Sequence, residues 1–327
     1  MNWTSKSVLV TGAGGFIGSH LAEALVRAGA RTRAMVRYNS AGRWGWLDSS
    51  ELKNDMEVVP GDVREFDSVT RAVKGVDVVF HLAALIAIPY SYESPSSYVS
   101  SNIIGTLNLL QAARDAGVNR VVHTSTSEVY GTAREIPISE EHPLQAQSPY
   151  SATKIGADKI AESFHLSFGM PVSIVRPFNT YGPRQSARAI IPTILTQALT
   201  GQSIHVGNIN PTRDFNFVED TVRGFLLNAA SENAIGRVIN LGTGTEISIG
   251  ELAKTICSLA GTRCEIIQDD HRVRPAGSEV ERLCADNRVA RELLGWSPQV
   301  SLREGLQRTM EWVRTNLGLY RVGVYAV

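Results

Sequence analysis

The sequence predicts an α/β fold: a doubly wound parallel sheet (a Rossmann arrangement) carrying a smaller mixed α/β lobe. Three observations predict it. The short apolar run Ser7-Val8-Leu9-Val10-Thr11 leads directly into Gly12-Ala13-Gly14-Gly15-Phe16-Ile17-Gly18 and then into a helix from Ser19 to Ala28. Further apolar runs of strand length alternate with helix-length segments up to about Val175. After Pro177 the elements become shorter and more polar.

Taken in order, the glycine segment permits a tight turn and lets backbone approach a pyrophosphate, with the following helix N-terminus facing the anion. A lone glycine cluster is weak evidence, but the flanking strand and helix make it a dinucleotide-binding turn. The second strand, Thr32 to Val36, ends in Arg37. An acidic residue there commonly takes the ribose hydroxyl of NAD, whereas an arginine suits the 2′-phosphate of NADP. The expected cofactor is therefore NAD or NADP, leaning to NADP; the competing reading is a surface arginine beside the adenine.

Val58-Val59 with Gly61-Asp62-Val63 forms the third strand, and Asp62 is a candidate partner for the adenine amino group. Asp77 to Ala84 is the fourth, its small Ala83-Ala84 end leaving room for a cofactor, and His81 is expected to pack rather than react. Ser96 to Ala116 is expected as one long helix with Asn102 facing inward. Val121 to Thr124 and Val172 to Arg176 are the fifth and sixth strands.

Thr124-Ser125-Thr126-Ser127-Glu128 lies where the fifth strand gives way to a loop, and Ser148-Pro149-Tyr150 opens the next helix. Tyr150 and Lys154 are four residues apart and share a helix face. An ammonium beside a phenol is expected to lower the phenol pKa, making Tyr150 a general base. Thr126 offers a hydroxyl to the same substrate oxygen and Glu128 a carboxylate. Alone, a Tyr-x-x-x-Lys pair is usually a solvated helix face; the preceding Thr-Ser-Glu segment and the glycine turn argue otherwise.

Beyond Pro177, Asn179 to Arg184 is a loop, and Ile190 to Leu199 a helix interrupted early by Pro192. Further helices are expected near Val218 to Ala230, Ser248 to Ala260, Asn287 to Leu294 and Leu302 to Asn316, with Val238 to Leu241 as one more sheet strand. The expected division is 1–177 plus 217–245 for the dinucleotide domain and 178–216 plus 246–327 for a nucleotide-sugar-binding lobe. Arg213, Arg272 and Arg274 lie in or near lobe loops, where arginines suit a second pyrophosphate through paired hydrogen bonds.

Composition excludes several classes. The 327 residues hold 43% hydrophobic and 20% charged residues, ordinary for a globular protein, and 32 Lys plus Arg balance 32 Asp plus Glu. Such a balance gives no general attraction to nucleic acid or acidic membranes. No run has the length of a membrane span, and the N-terminus shows no leader pattern because its glycines interrupt any apolar stretch. The three cysteines, Cys257, Cys264 and Cys284, lack metal-ligand spacing and cannot all pair, so no metal and a cytoplasmic, reducing location are expected.

Together, Thr11 to Gly18, Asp62, His81 to Ala84, Tyr150 with Lys154, Arg176-Pro177-Phe178-Asn179 and Arg213-Asp214-Phe215 resemble the extended short-chain dehydrogenases/reductases that act on nucleotide sugars. The resemblance spans about Ser7 to Val313 and implies Thr126, Tyr150 and Lys154 as a catalytic trio. It assigns the cofactor to Gly12, Gly14, Gly15, Phe16, Ile17, Gly18, Arg37, Asp62, Val63, Leu82, Ala83, Ala84, Asn102, Thr124 and Pro177, besides Tyr150 and Lys154. It assigns the substrate to Pro89, Tyr90, Asn179, Arg184, Ile191, Pro192, Arg213 and Arg274.

Within the family, Thr-Ser-Glu is similar to the 4,6-dehydratase signature, although glucuronate decarboxylases carry it too. The segment from Arg272 to Val280 looks more like the dehydratases, and Leu85 to Tyr92, Tyr38-Asn39-Ser40 and Trp44-Gly45-Trp46 resemble GDP-N-acetylglucosamine 4,6-dehydratases of legionaminic acid synthesis. The implied reaction oxidises C4′, eliminates water across C5′ and C6′ and returns hydride to C6′, the cofactor staying bound. Ser127 stands where some relatives have aspartate. The implied substrate is a GDP- or UDP-activated hexose or N-acetylhexosamine. The alternatives are nucleotide-glucuronate decarboxylation, 4-epimerisation and a silent dinucleotide-sensing regulator. Relatives pair the helices from Ser96 and Tyr150 across a two-fold axis, so a homodimer is expected, with Leu109-Leu110, Ile155 and Ile160 as its apolar face.

Overall fold

The computed structural model describes residues 1–201 and 203–322. In chain order it contains β1 (Ser7–Thr11), α1 (Phe16–Arg27), β2 (Arg31–Arg37), β3 (Glu57–Gly61), α2 (Phe66–Val73), β4 (Val78–His81), α3 (Ile88–Glu93), α4 (Pro95–Tyr98), α5 (Gly105–Asp115), β5 (Arg120–Thr124), α6 (Pro149–Phe168) and β6 (Val172–Pro177). There follow β7 (Asn179–Tyr181), α7 (Ile190–Thr200), β8 (Ser203–Val206), β9 (Thr212–Arg213), β10 (Phe215–Phe217), α8 (Val218–Ala230), β11 (Val238–Leu241), β12 (Ile247–Ser248), α9 (Ile249–Ala260), β13 (Glu265–Gln268), β14 (Arg282–Leu283), α10 (Arg288–Leu294) and α11 (Leu302–Thr315).

Seven strands form one parallel sheet in the order β11-β6-β5-β4-β1-β2-β3. The order reverses between β1 and β4, so a crevice opens past their carboxyl ends, where such sheets bind ligands. Side-chain alternation divides the core into two layers. Val8 and Val10 of β1 pack in the layer that holds Leu21 and Leu25 of α1 and Phe225 of α8. Leu9 packs on the other face with Val69 of α2, Leu109 and Leu110 of α5 and Phe164 of α6. Burying each such leucine contributes roughly 1.5–3 kcal/mol. Three smaller sheets, β10 with β7, β9 between β12 and β14, and β13 with β8, build the walls opposite the crevice. Most of these strands are only two to four residues long, too short for a period-two pattern to mark them in the sequence.

Three expectations change. The helix expected from Ser96 begins at Pro95 and passes through a π-helical segment, Val99–Ile104, before α5. That wider turn buries Asn102, whose side chain accepts from Leu85 N (2.8 Å) and donates to Leu85 O (3.0 Å) and Thr153 Oγ1 (3.0 Å). Pro192 does not interrupt α7: it lies in the first turn, where a missing N–H leaves no bond unmade. Leu109 and Leu110 face the core rather than outward; the exposed apolar residues of this stretch are Val99 and Ile104.

Candidate active site

The glycine turn is held from below. Thr11 Oγ1 accepts from Leu82 N and Ala83 N, both at 3.1 Å, and lies 2.9 Å from His81 Nδ1. His81 Nε2 lies 3.1 Å from Thr106 Oγ1, so this histidine is a satisfied buried group, as expected of it. A Cβ on Gly12 would stand 2.8 Å from Ala83 N, and φ there is +71°, so two requirements select glycine. Helix α1 begins immediately, at Phe16, with Gly15 as an N-cap that offers no side-chain acceptor and no acidic residue in the first turn. Its free N–H groups face the crevice, as a pyrophosphate requires. The residues present therefore fit a dinucleotide.

The loop after β2 closes over this turn. Trp46 N donates to Gly14 O at 3.0 Å, and the Trp46 ring meets Trp312 of α11 edge-on at 5.4 Å. Arg37 is exposed and lines the crevice with Asn39 and Arg43. The Asp62 carboxylate, the candidate adenine partner, is engaged by Arg64 (Nε–Oδ1 3.0 Å), which holds its pKa below the usual carboxylate range, with Arg37 adding a smaller effect.

Helix α6 places the central pair. Ser148 caps it by accepting from Ser151 N (3.1 Å), and Ser151 Oγ accepts from Ser148 N (3.0 Å); this reciprocal cap contributes about 1 kcal/mol. Tyr150 and Lys154 thus sit in the first two turns, on the crevice side, 6% and 4% exposed. The phenol stands beside Thr126, whose Oγ1 accepts from Glu128 N at 3.3 Å. Lys154 Nζ donates to Thr124 O at 2.6 Å.

The expectation of a lowered tyrosine pKa is not met. Burial pushes the Tyr150 phenol up, opposed by the Thr126 hydroxyl beside it, and nearby Glu128 pushes the same way as burial. Burial also pushes Lys154 down to about 8. The lysine charge is committed to a strand-end carbonyl, and a dry pocket disfavours a phenolate.

The catalytic candidates Thr126, Ser127, Glu128, Tyr150 and Lys154 all line one cleft of about 1030 Å³ with the glycine turn, Val63, Leu82, Ala83, Ala84, Thr124 and Pro177. Pro89, Tyr90, Asn179, Ile191, Arg213, Arg272 and Arg274 line it too. Three residues do not. Asn102 lies behind the wall and fixes Leu85. Pro192 is buried within α7. Arg184, expected on the substrate, turns away: its guanidinium bonds Glu23 Oε1 (2.9 Å) and Ser19 Oγ (3.2 Å) on α1.

The sequence reading gave no role to several residues in and behind the cleft wall. Glu279 holds both lobe arginines, at 3.4 Å from Arg213 Nη2 and 3.8 Å from Arg274 Nη1. Tyr98 packs edge-on against Tyr150 at 6.2 Å and donates its hydroxyl to Ala87 O. Tyr92 OH lies 2.5 Å from Ser278 Oγ, joining α3 to the loop that carries Arg274. Four buried polar atoms on cleft residues, Thr124 Oγ1, Asn179 Oδ1, Gln185 Oε1 and Arg274 Nη1, have no hydrogen-bond partner among the described residues.

Comparison with known proteins gives the arrangement a family. The model of the family described as GDP-mannose 4,6 dehydratase matches residues 9–309. A UDP-glucose 4-epimerase of Mycolicibacterium smegmatis is 36% identical over 313 residues, covering 94% of this chain and 98% of the relative. An epimerase structure from Methanothermobacter thermautotrophicus superposes with a TM-score of 0.89 at 35% identity, covering 97% of this chain and 94% of that one. DesIV, a dTDP-glucose 4,6-dehydratase from Streptomyces venezuelae solved with NAD bound, superposes with a TM-score of 0.87 at 33% identity, covering 96% and 99%. The chain carries the glycine turn, the Tyr150–Lys154 pair and the parallel sheet, and it belongs to the GDP-mannose 4,6 dehydratase family of extended short-chain dehydrogenases/reductases.

Proposed function

We propose that this protein is a nucleotide-sugar 4,6-dehydratase. The observation that carries the reading is Glu128: a carboxylate lining the cleft, two residues beyond the Thr126 hydroxyl and near both Tyr150 and Arg213. Bound against the glycine turn, NAD or NADP supplies the hydride acceptor for C4′ and the donor for C6′. Tyr150 takes the proton of the 4′-hydroxyl, with Thr126 holding that oxygen. Lys154 makes the phenolate accessible once substrate and cofactor exchange bulk water for fixed dipoles. Glu128 takes the C5′ proton, made acidic by the 4-ketone, and gives it to the 6′-hydroxyl, which leaves as water. Ser127, beside it, is too weak an acid at neutral pH to do so. As hydride returns to C6′, C5′ takes up a proton from solvent by way of Glu128, and the proton Tyr150 took from O4′ passes to solvent. Positioned acid–base groups of this kind contribute about 10²–10⁴ in rate.

Arg213 and Arg274, gathered on Glu279, suit the substrate pyrophosphate, and Arg274 Nη1, ion-paired to Glu279 but making no hydrogen bond, supports this. Arg37 supports NADP. The exposed Val99 and Ile104, with Leu166 and Phe168 of α6, support a homodimer. No helix among the described residues is long and apolar enough to cross a membrane, and the three free cysteines support a cytoplasmic site. A second reading, 4-epimerisation, is favoured by Ser127 in place of an acid and by the epimerase relative. Incubation with UDP-, GDP- and dTDP-sugars, read by mass, separates them. Loss of one water supports dehydration; an unchanged mass with an inverted C4′ by NMR overturns it.

A further inference from the structure

Beneath the cleft lies a buried charge cluster that the reaction above does not use. We propose that Asp158 is a positioning residue, the counter-ion that keeps Lys154 in its cationic form. The inference rests on the reading of Tyr150 and Lys154 as the proton-transfer pair and goes beyond it by naming what sustains the lysine charge.

The geometry starts from the helix. Tyr150, Lys154 and Asp158 follow one another at four-residue intervals along α6 and face inward together. Asp158 is 1% exposed and is held on three sides. Its Oδ2 accepts from Ser125 Oγ at 2.7 Å, from Arg176 Nη2 at 3.0 Å and from Arg176 Nε at 3.3 Å. Its Oδ1 stands 3.3 Å from His123 Nε2. Arg176 is fixed in turn by Tyr130 OH at 2.9 Å, and Tyr130 OH donates to Asn240 Oδ1 at 2.8 Å. The carboxylate is therefore fixed in place one helical turn beyond Lys154, without direct contact to it, and Ser125, which holds the carboxylate, follows directly on the Thr124 whose carbonyl holds Lys154.

Every other charged or titratable group around the lysine has a different role. On α6 itself there is Tyr150, a phenol that burial keeps neutral. On β5 His123 and on β4 His81 are fully buried, and the lysine charge helps hold both below the ordinary histidine pKa, that is, neutral. On β6 Arg176 is a cation paired with Asp158. On the loop after β5, Glu128 faces the cleft near Arg213. Asp158 is thus the anion buried with Lys154, and among its surroundings it is what opposes the loss of charge that burial imposes. A buried carboxylate in the full embrace of a serine, an arginine and a histidine is costly to build unless its field is used or its partners need it. Here the field falls on the lysine.

The test is Asp158→Asn, which keeps shape and removes charge. Without the counter-ion the lysine deprotonates at lower pH, so the alkaline limb of C4′ oxidation moves to lower pH by about one unit, a loss of about tenfold at a fixed pH on that limb. Asp158→Glu should restore the limb. A second readout is independent of turnover: the pH profile for acetylation of Lys154 in the full-length protein by acetic anhydride, quantified by mass spectrometry. It should shift by the same amount. If Asp158→Asn does not fold because Arg176 is left unpaired, the double variant Asp158→Asn/Arg176→Gln removes both charges, and a smaller shift in the same direction is expected, because the lost cation offsets part of the lost anion. An unmoved acetylation profile in a folded variant overturns the proposal, even if turnover falls. So does a wild-type Lys154 that acetylates as a neutral amine at pH about 7, which decides the matter should neither variant fold. Failure of the dehydratase reading is distinguishable: no nucleotide sugar is then converted, yet the acetylation shift persists.

Discussion

Lys154 donates to the carbonyl oxygen of Thr124 at 2.6 Å, tying the first turns of α6 to the carboxyl end of β5. The proton-transfer group is thereby anchored to the sheet, while the phenol one turn earlier stays neutral in its dry pocket. Tyr150→Phe removes the base and keeps ring volume. Turnover should fall by about 10² or more while cofactor affinity, measured by fluorescence titration, changes by only a few-fold. Turnover within a few-fold of wild type removes Tyr150 from the chemistry.

Glu128→Gln separates the two halves of the reaction. An amide cannot take the C5′ proton, but Tyr150 alone suffices for oxidation at C4′. Mixing the variant with substrate should therefore still produce the near-ultraviolet absorbance of reduced nicotinamide. Net dehydration should drop by about 10² or more, and solvent deuterium should no longer enter C5′. Normal dehydration by this variant would assign Glu128 a packing role only.

Glu279 gathers Arg213 and Arg274 at 3.4 Å and 3.8 Å, and Arg213 is nearly buried. Glu279→Gln leaves two cations without their shared anion and loosens their placement. Losing charged hydrogen bonds of about 1.5–3 kcal/mol should raise KM by about 10- to 100-fold, with kcat changed far less. A change confined to kcat would place this cluster on the chemical step instead of on substrate binding.

Arg37 lies at the end of β2, exposed, with the cleft in front of it. Arg37→Asp should exchange a partner for a 2′-phosphate for one that bonds the ribose hydroxyls. The ratio of NADP to NAD affinity should fall by about tenfold or more, read by calorimetry. An unchanged ratio makes Arg37 a surface residue.

His81 and His123 are fully buried and held below the ordinary histidine pKa, chiefly by burial. In the unfolded chain both titrate near about 6.5. The unfolded state therefore binds more protons below that pH, so their contribution to stability is complete above it and lost as pH falls. Each should contribute a slope of up to about 1.4 kcal/mol per pH unit below about 6.5. Urea unfolding followed across this range should show the decline, and a flat profile would mean that the histidines are charged in the fold.

The sequence alone determined what depends on local pattern. The strand-glycine-helix unit, the alternation that makes the sheet parallel, and the four-residue spacing of Tyr150 and Lys154 are all encoded in short windows, because backbone sterics and helix periodicity act within a few residues. Tertiary structure decided what depends on distance along the chain. Arg184 looked like a substrate ligand and is instead claimed by Glu23, more than a hundred positions earlier. Glu279 becomes an arginine anchor only because β9 lies beside β14 and brings their loops together. Asp158 was within reach of the sequence, one turn beyond Lys154, but its meaning needed Arg176 from β6 and Ser125 from the loop after β5. The direction of the tyrosine shift was likewise set by burial, and burial is a property of the assembled core that no short stretch of sequence contains.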